Sequence, residues 1–521
     1  MTASTACARL VAALAASGVA ATVLSAAPPA QAQTYWVPAS GKVTVHGHGF
    51  GHGHGMSQYG AQGAGRAGKS YRQILGFYYP HTRLGRAKGP LRVLLTADHS
   101  SDVVVKPAKR LTVRDRADGR SWRLPTGRLD ARGWKIALVK GNAKKSAVQY
   151  RDRRGWHRWN LPGKRTVLRG DGQLSAKGPL RLVRPGGSTR RYRGVLRSAS
   201  PFGASKVRDT VNVVSLDQYV RGVLPAEMPT SWTLAALRAQ AVAARTYASW
   251  SRRAAGNRYW HVCDTTACQV YGGRQAEAAR GNRAVSDTRG RILRADGAPA
   301  FTQFSASSGG WTSRGGRRYL PAKKDRWDDW SGNAYHDWRR QVGVGFFEQR
   351  YPELGALRSI KVTRRDGHGQ WGGRALQVEL GGSKHSVRLT GDDLRWALGL
   401  PSTWFAPRLT PIQRLWERLG GPKSAWGRAT AREHPVANKA GLKGVAQRFQ
   451  HGRMYCSPRT KAHALRGRIL EAYGKRHHVA GALGYPTTNI FRVEKGRRAK
   501  FQHGSITWLR RSKTVDVHIR R

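Results

Sequence analysis

The sequence predicts an α+β chain: a β-rich part, a mixed part carrying the longest helix, and two small repeat modules at the carboxyl end. Three observations carry this reading. Short alternating runs such as LRVLLTA, DVVVKP and TVNVVS fill Leu91 to Val214, punctuated by Gly, Asp and Pro. Leu234, Leu237, Ala241, Ala244 and Ala248 fall on one face at helical spacing. RFQHGRMYCS at Arg448 and KFQHGSITWL at Lys500 recur with a period of 52 residues, each after an L-G-x-P turn, at Leu419 to Pro422 and Leu483 to Pro486.

In chain order, Arg9, the apolar run Leu10 to Ala27 and the small-x-small site Ala30-Gln31-Ala32 make residues 1–32 a secretory leader. The mature chain is expected to start near Gln33 and to be secreted. Val43 to Val45 reads as a strand. The Gly/His run after it is a loop, because glycine at alternate positions suits neither helix nor ladder. Met56 to Ala67 and Ser70 to Tyr78 read as two short helices. Leu216 to Val220 is a short helical piece, and Thr230 or Ser231 caps a helix running to about Arg253. Beyond Gly272 come a helix over Gln275 to Ala284, strands near Ile292 and Phe301 to Phe304, and a turn at Ser305 to Gly310. Ala406 to Pro411 reads as a linker. The boundaries are thus 43–405 for the main domain, in parts 43–84, 91–214 and 215–405, then 411–464 and 465–521 for the modules.

Lys and Arg number 93 against 29 Asp and Glu, a formal net charge of +64. Such a charge calls for a polyanionic partner. For an exported chain this means anionic wall polymers or acidic membrane surfaces, and no specific nucleic acid. An arginine-rich composition accounts for part of it. Against this background Glu227 stands out, because no glutamate precedes it and only nine occur. Flanked by Pro225-Ala226 and Met228-Pro229, it is expected in a stiff apolar loop just ahead of a helix. Desolvation there would raise its pKa, as a general acid requires. The competing reading is a loop carboxylate paired with an arginine. Gln240 shares a packed helix face with Leu237, Ala244 and Tyr247, so its amide belongs to a core network or to a site.

Without the leader, Cys263, Cys268 and Cys456 remain. An oxidising exterior favours a small-loop disulfide between Cys263 and Cys268. His261, Cys263, Asp264 and Cys268 are the alternative metal ligands, but C-x4-C with one His falls short of a closed four-ligand site. His46, His48, His52 and His54 are a second, adventitious metal candidate. Cys456 has no assigned role.

LDQYVRGVLPAEMPTSWTLAALRAQAVAARTYA, CDTTACQVYGG, FSASSGGWTS, RDGHGQWGGR and GFGHGHGMSQYGAQG together resemble the SpoIID/LytB (stage II sporulation protein D) family, over roughly Val43 to Phe405. The modules resemble LGFP repeats of actinobacterial wall proteins. Leu483-Gly484-Tyr485-Pro486 with Phe501-Gln502-x-Gly504 matches well; Leu419-Gly420-Gly421-Pro422 with Phe449-Gln450-x-Gly452 carries an insertion.

The resemblance implies a SpoIID-type catalytic domain, a lytic transglycosylase acting on peptidoglycan glycan strands and associated with the cell wall. Glu227, in the P-x-E-M-P loop, would be its catalytic acid. Some relatives are amidase enhancers instead, which makes a cell-wall amidase a candidate partner. The Gly-His motif closes the domain in better-known members and opens it here, as a circular permutation would leave it. His52, Ser57 and Gln58 should then return to the Glu227 cleft, with Gln240, Tyr247, Ser307 and Ser308 as further substrate-binding residues. Arg245 is a candidate for a substrate lactyl carboxylate, its alternative being a structural pair. Some relatives bind zinc through the cysteine pair and a nearby His. Only His261 lies close here, so no cofactor is expected. One carboxylate suffices for such an enzyme, because the muramic ring supplies its own hydroxyl as nucleophile. Arg221 and Arg245 oppose the scheme, since nearby cations lower a carboxyl pKa.

Overall fold

The computed structural model describes residues 32–520 apart from 39, 126, 128, 141, 203 and 204. All but the last residue of the 1–32 leader therefore lies outside the described residues. Among those described, no helix is long and apolar enough to cross a membrane. The fold is α+β.

Two sheets of the β-rich part share one core. The larger has seven strands, running from Val262–Cys263 through Pro90–Leu94, Asp209–Ser215, Val195–Ala199, Gly172–Ser175 and Thr112–Asp115 to Ser121–Arg123. Alternation buries one face of each, with Leu91 and Val93 or Leu196 and Val211 fully inside. The long helix, Leu234–Ala255, is buried on nearly every side. Its alanines let Gln58–Arg66, Tyr71–Tyr78, Leu216–Glu227 and Ala279–Asp287 all pack against it.

Several boundaries differ from the sequence reading. Thr233 caps the long helix, its Oγ1 accepting from Ala236 N–H, because Pro229 to Trp232 first closes a turn of its own. The preceding helix runs on to Glu227. Pro225 is tolerated there because, so near the end, it deprives only the Arg221 carbonyl of an N–H. The predicted Gln275 helix is a 3-10 turn, Gly273–Ala276, followed by Ala279–Asp287.

A second core is built from both ends of the main domain. Gln33–Trp36 lies at the edge of a four-stranded sheet beside Leu357–Arg365, and Lys42–His48 lies between Asp337–Gly343 and Phe405–Pro407. Val43, Val45, Phe347, Ile360, Leu380 and Phe405 fill it. The predicted linker is structured. Ala406 pairs with His46, while Thr410 caps a helix that opens on Pro411, a favoured first position.

Each repeat module is a helix and a four-stranded antiparallel sheet: Pro411–Arg418 with strands from His434 to Leu465, then Gly467–Gly474 with strands from Phe491 to Ile519. The F-Q-x-G motif is the central hairpin, with Phe449 opposite Gly452 and Phe501 opposite Gly504. Its Gln pins the turn ahead of it: Gln450 Oε1 accepts from Arg428 N–H and Gln502 Oε1 from Tyr485 N–H. Ala429 bridges Phe449 as Pro486 bridges Phe501, so the counterpart of Leu483 to Pro486 is Trp426 to Ala429 and not the expected Leu419 to Pro422. Tyr485 donates to Val436 O, and Tyr455, Tyr473 and Phe501 share one core across the modules. Trp36 packs on Trp416 at 4.5 Å, and its backbone N–H donates to Gln413 Oε1. The first module is thereby tied to the main domain.

Candidate active site

Glu227 ends its helix rather than sitting in a loop, and its side chain lines a cleft of about 510 Å³. Two segments far apart in sequence meet there. Gln58, the first residue of the Gln58–Arg66 helix, donates through Nε2 to Glu227 Oε2 at 3.2 Å. Burial raises the Glu227 pKa; the hydrogen bonds from Gln58 and from Val270 N–H oppose it but do not cancel it. The negative end of the helix dipole acts in the same raising direction. The feared arginines point away. Arg221 donates to Ser286 Oγ, and Arg245 is held by Asp217. Among the described residues, Glu227 is the only carboxylate lining the cleft.

The Gly/His run delivers Gln58. Gly49, Gly51, Gly53 and Gly55 all have positive φ, which explains their alternation. At Gly55 a side chain would also meet Gln303 O at 2.1 Å. Ser57 caps the Gln58 helix through Gly60 N–H and donates to Asp328 Oδ1 at 2.6 Å. Asp328 is fully buried and also accepts from Ser307 Oγ, Ser308 N–H, Gly309 N–H, Asn333 Nδ2 and His336 Nδ1. Burial would raise its pKa, but the hydrogen bonds from His336, Ser57, Ser307 and Ser308 outweigh it. Beside it, burial and the Asp328 charge push Asp325 up; Asp325 accepts from Tyr78 Oη and Ser308 Oγ.

Of the expected site residues, His52, Gln58 and Tyr247 line the cleft with Glu227. His52 Nδ1 accepts from His54 N–H, which leaves Nε2 as the donor of a neutral ring. Five others are corrected. Ser57, Ser307 and Ser308 lie behind the wall, their hydroxyls turned onto Asp328 and Asp325. Arg245 is buried in the helix core, where Asp217 Oδ1 at 2.8 Å and the carbonyls of Ala241 and Arg291 occupy its guanidinium. Gln240 is also fully buried away from the cleft; among the described residues neither amide atom has a hydrogen-bond partner.

Cys263 and Cys268 form a disulfide, and the loop it closes leads into Thr266 to Val270, one wall of the cleft. The donor set does not fit zinc. Both sulfurs are joined, and His261 Nδ1 accepts from Arg92 N–H. Nor do the four histidines of the Gly/His run converge. His48 is held by Asp337, Gln370 and two tryptophans, while His52 stacks on His54. The opposite wall was not foreseen. Trp396, 72% exposed, and Arg395, whose guanidinium lies over the Trp396 ring at 4.6 Å, reach the cleft from the second core. Only the polar run GDDLR ahead of an unburied tryptophan hinted at them.

The stage II sporulation protein (SpoIID) family model matches residues 204–294, which hold Glu227, the long helix and the disulfide loop. The LGFP repeat model matches 428–481 and 483–520. The chain carries a SpoIID domain and LGFP repeats. The chain is 42% identical over 115 residues to the amidase enhancer of Bacillus subtilis (strain 168), covering 21% of this chain and 15% of that protein. It is 30% identical over 237 residues to stage II sporulation protein D of Bacillus amyloliquefaciens, covering 41% of this chain and 63% of that one. An uncharacterized protein of Brachyspira hyodysenteriae is 43% identical over 103 residues, 28% of its length. The chain thus spans less than two thirds of each of these relatives.

Proposed function

We propose that the protein is a secreted, wall-associated peptidoglycan lytic transglycosylase with Glu227 as its general acid and base. The observation that supports this best is the lone, desolvated Glu227 in a cleft, hydrogen-bonded to Gln58. Glycosidases that use water need two carboxylates. A muramic ring does not, because its own primary hydroxyl can attack the anomeric carbon. Protonated Glu227 gives its proton to the departing glycosidic oxygen while the C–O bond breaks. The carboxylate then takes the proton of the attacking hydroxyl, which closes an anhydro bridge, and the enzyme ends as it began. Trp396 offers a flat face for a sugar ring, and Arg395, paired with Asp392 and donating to Leu400 O, supports that ring from the protein side.

The test is digestion of purified peptide-free glycan strands. Wild type should release anhydro-muramic ends, and Glu227→Gln should lose about 10²- to 10⁴-fold in rate. Absence of product from both sinks the reading. A second reading, enhancement of a cell-wall amidase, is favoured by the similarity to a protein named amidase enhancer. It predicts stimulation of an added amidase that Glu227→Gln retains.

We also infer that the domain is circularly permuted. Lys42–His48 lies antiparallel to Phe405–Pro407, with Val45 opposite Pro407, so the domain's two ends are neighbours that a short turn could join.

A further inference from the structure

Both repeat modules carry a cationic pocket beside their central strands. In the first, a cavity of about 860 Å³ opens between one face of the Pro411–Arg418 helix and the Lys443–Phe449 and Gly452–Ser457 strands. In the second, one of about 780 Å³ opens between the start of the Gly467–Gly474 helix and the Gly496–Phe501 and Gly504–Leu509 strands. The repeat period maps one lining onto the other: Gly444 onto Gly496, Val445 onto Arg497, Cys456 onto Trp508 and Pro458 onto Arg510. Corresponding positions on the central strands therefore line both cavities with different side chains. The sign of charge is the same both times.

Arg414, Arg418, Lys443 and Lys461 face the first pocket against a single carboxylate, Glu417. Arg466, Arg468, Arg492, Arg497 and Arg510 face the second, with Glu494 as its one acid. Arg466 is occupied, donating to Ala425 O and lying over Trp426, and Arg468 pairs with Glu471. Among the described residues the others make no ion pair, although close like charges repel one another unless an anion sits between them. Each floor is apolar: Val445 and Ala462 in one, Ile469, Ile490 and Trp508 in the other.

We propose that the two pockets are a paired binding site for a linear polyanion of the cell wall, in which phosphate or carboxylate groups repeat along an uncharged sugar or polyol backbone. The proposal rests on the wall-association reading above. Arginine forks bind such anions in bidentate fashion, while the apolar floors take the uncharged backbone between them. The modules share a core, which fixes the spacing of the pockets. One polymer strand engaging both gains avidity without any new contact.

The test uses the full chain carrying Glu227→Gln and measures binding at physiological salt to poly(glycerol phosphate), to polygalacturonate and to neutral dextran. Three variants matter: Arg414→Gln/Arg418→Gln/Lys461→Gln, Arg492→Gln/Arg497→Gln/Arg510→Gln, and all six together. Lys475→Gln/Arg511→Gln/Lys513→Gln removes the same charge from exposed positions outside both pockets. Each pocket triple should weaken polyanion binding about tenfold, and all six at least about 100-fold, as paired sites require. The control should cost less than about twofold. The tighter of the two polymers identifies the anion. A control that loses as much as a pocket triple, or binding to neither polyanion, overturns the proposal. If isolated wall still retains the chain in that case, the wall-association reading stands by itself; if the wall does not bind, that reading falls too.

Discussion

At the scale of single residues, the acidity of Glu227 is a balance between burial and two donors. Gln58 stabilises the charged form, so it holds the pKa lower than burial alone would set it. Gln58→Leu should therefore raise that pKa, and Glu227 would then keep its proton to higher pH. The alkaline limb of the kcat/KM profile should move upward, and a limb that stays in place shows that Gln58 does not tune the acid. On the proposed reading, Trp396 is a substrate platform that leaves the chemistry alone. Trp396→Ala should raise KM for glycan strands about tenfold, ~1.4 kcal/mol, with kcat nearly unchanged. The prominence of Glu227 was legible because acidic residues are so scarce. The direction of its neighbours was not, since spacing along a chain says nothing of where an arginine points.

At the scale of elements, Asp328 fastens three segments at once: the cap of the Gln58 helix, the Ser307 to Gly309 turn, and the stretch holding Asn333 and His336. Removing it leaves several buried donors without an acceptor. Asp328→Ala should cost about 3–5 kcal/mol and lower Tm by roughly 10 °C. Activity at a temperature where the protein remains folded should also fall, because Gln58 loses its anchor. Full activity there would show that the network only stabilises. Ser57, Ser307 and Ser308 stand out in the sequence as motif residues, which marks them as important without separating contact with substrate from support of the wall. The carboxylate they serve sits in an unremarked run, DRWDDW, between two exposed arginine-rich stretches. The repeats were easier to read, because each motif residue closes its own module. The linker was misread because its two prolines resemble spacer residues, whereas one pairs in a strand and the other starts a helix.

At the scale of the whole molecule, the adjacency of Lys42–His48 and Phe405–Pro407 supplies a direct check of the permutation. A domain re-cut to run 89–408, a short glycine turn and then 42–88, which leaves the Arg83–Arg86 strand whole, should fold and cleave glycan within about tenfold of the same domain in native order. Loss of cooperative unfolding in the re-cut chain argues against it. The return of the Gly/His segment to Glu227 follows from the motifs, but its route through a second core does not. That core is assembled from strands whose apolar residues are few and whose partners lie hundreds of positions away.

This wiring also sets a timetable. Trp36 bonds to a residue 377 positions later, and His48 packs between Trp371 and Trp404. A chain made from its amino end has its first strands waiting, unpaired, until Asp337–Gly343 and Leu357–Arg365 have been made. The wall of the cleft that carries Arg395 and Trp396 forms only when those late strands arrive. The cleft is therefore open on one side until the last part of the domain is made, and that part is the one that completes it.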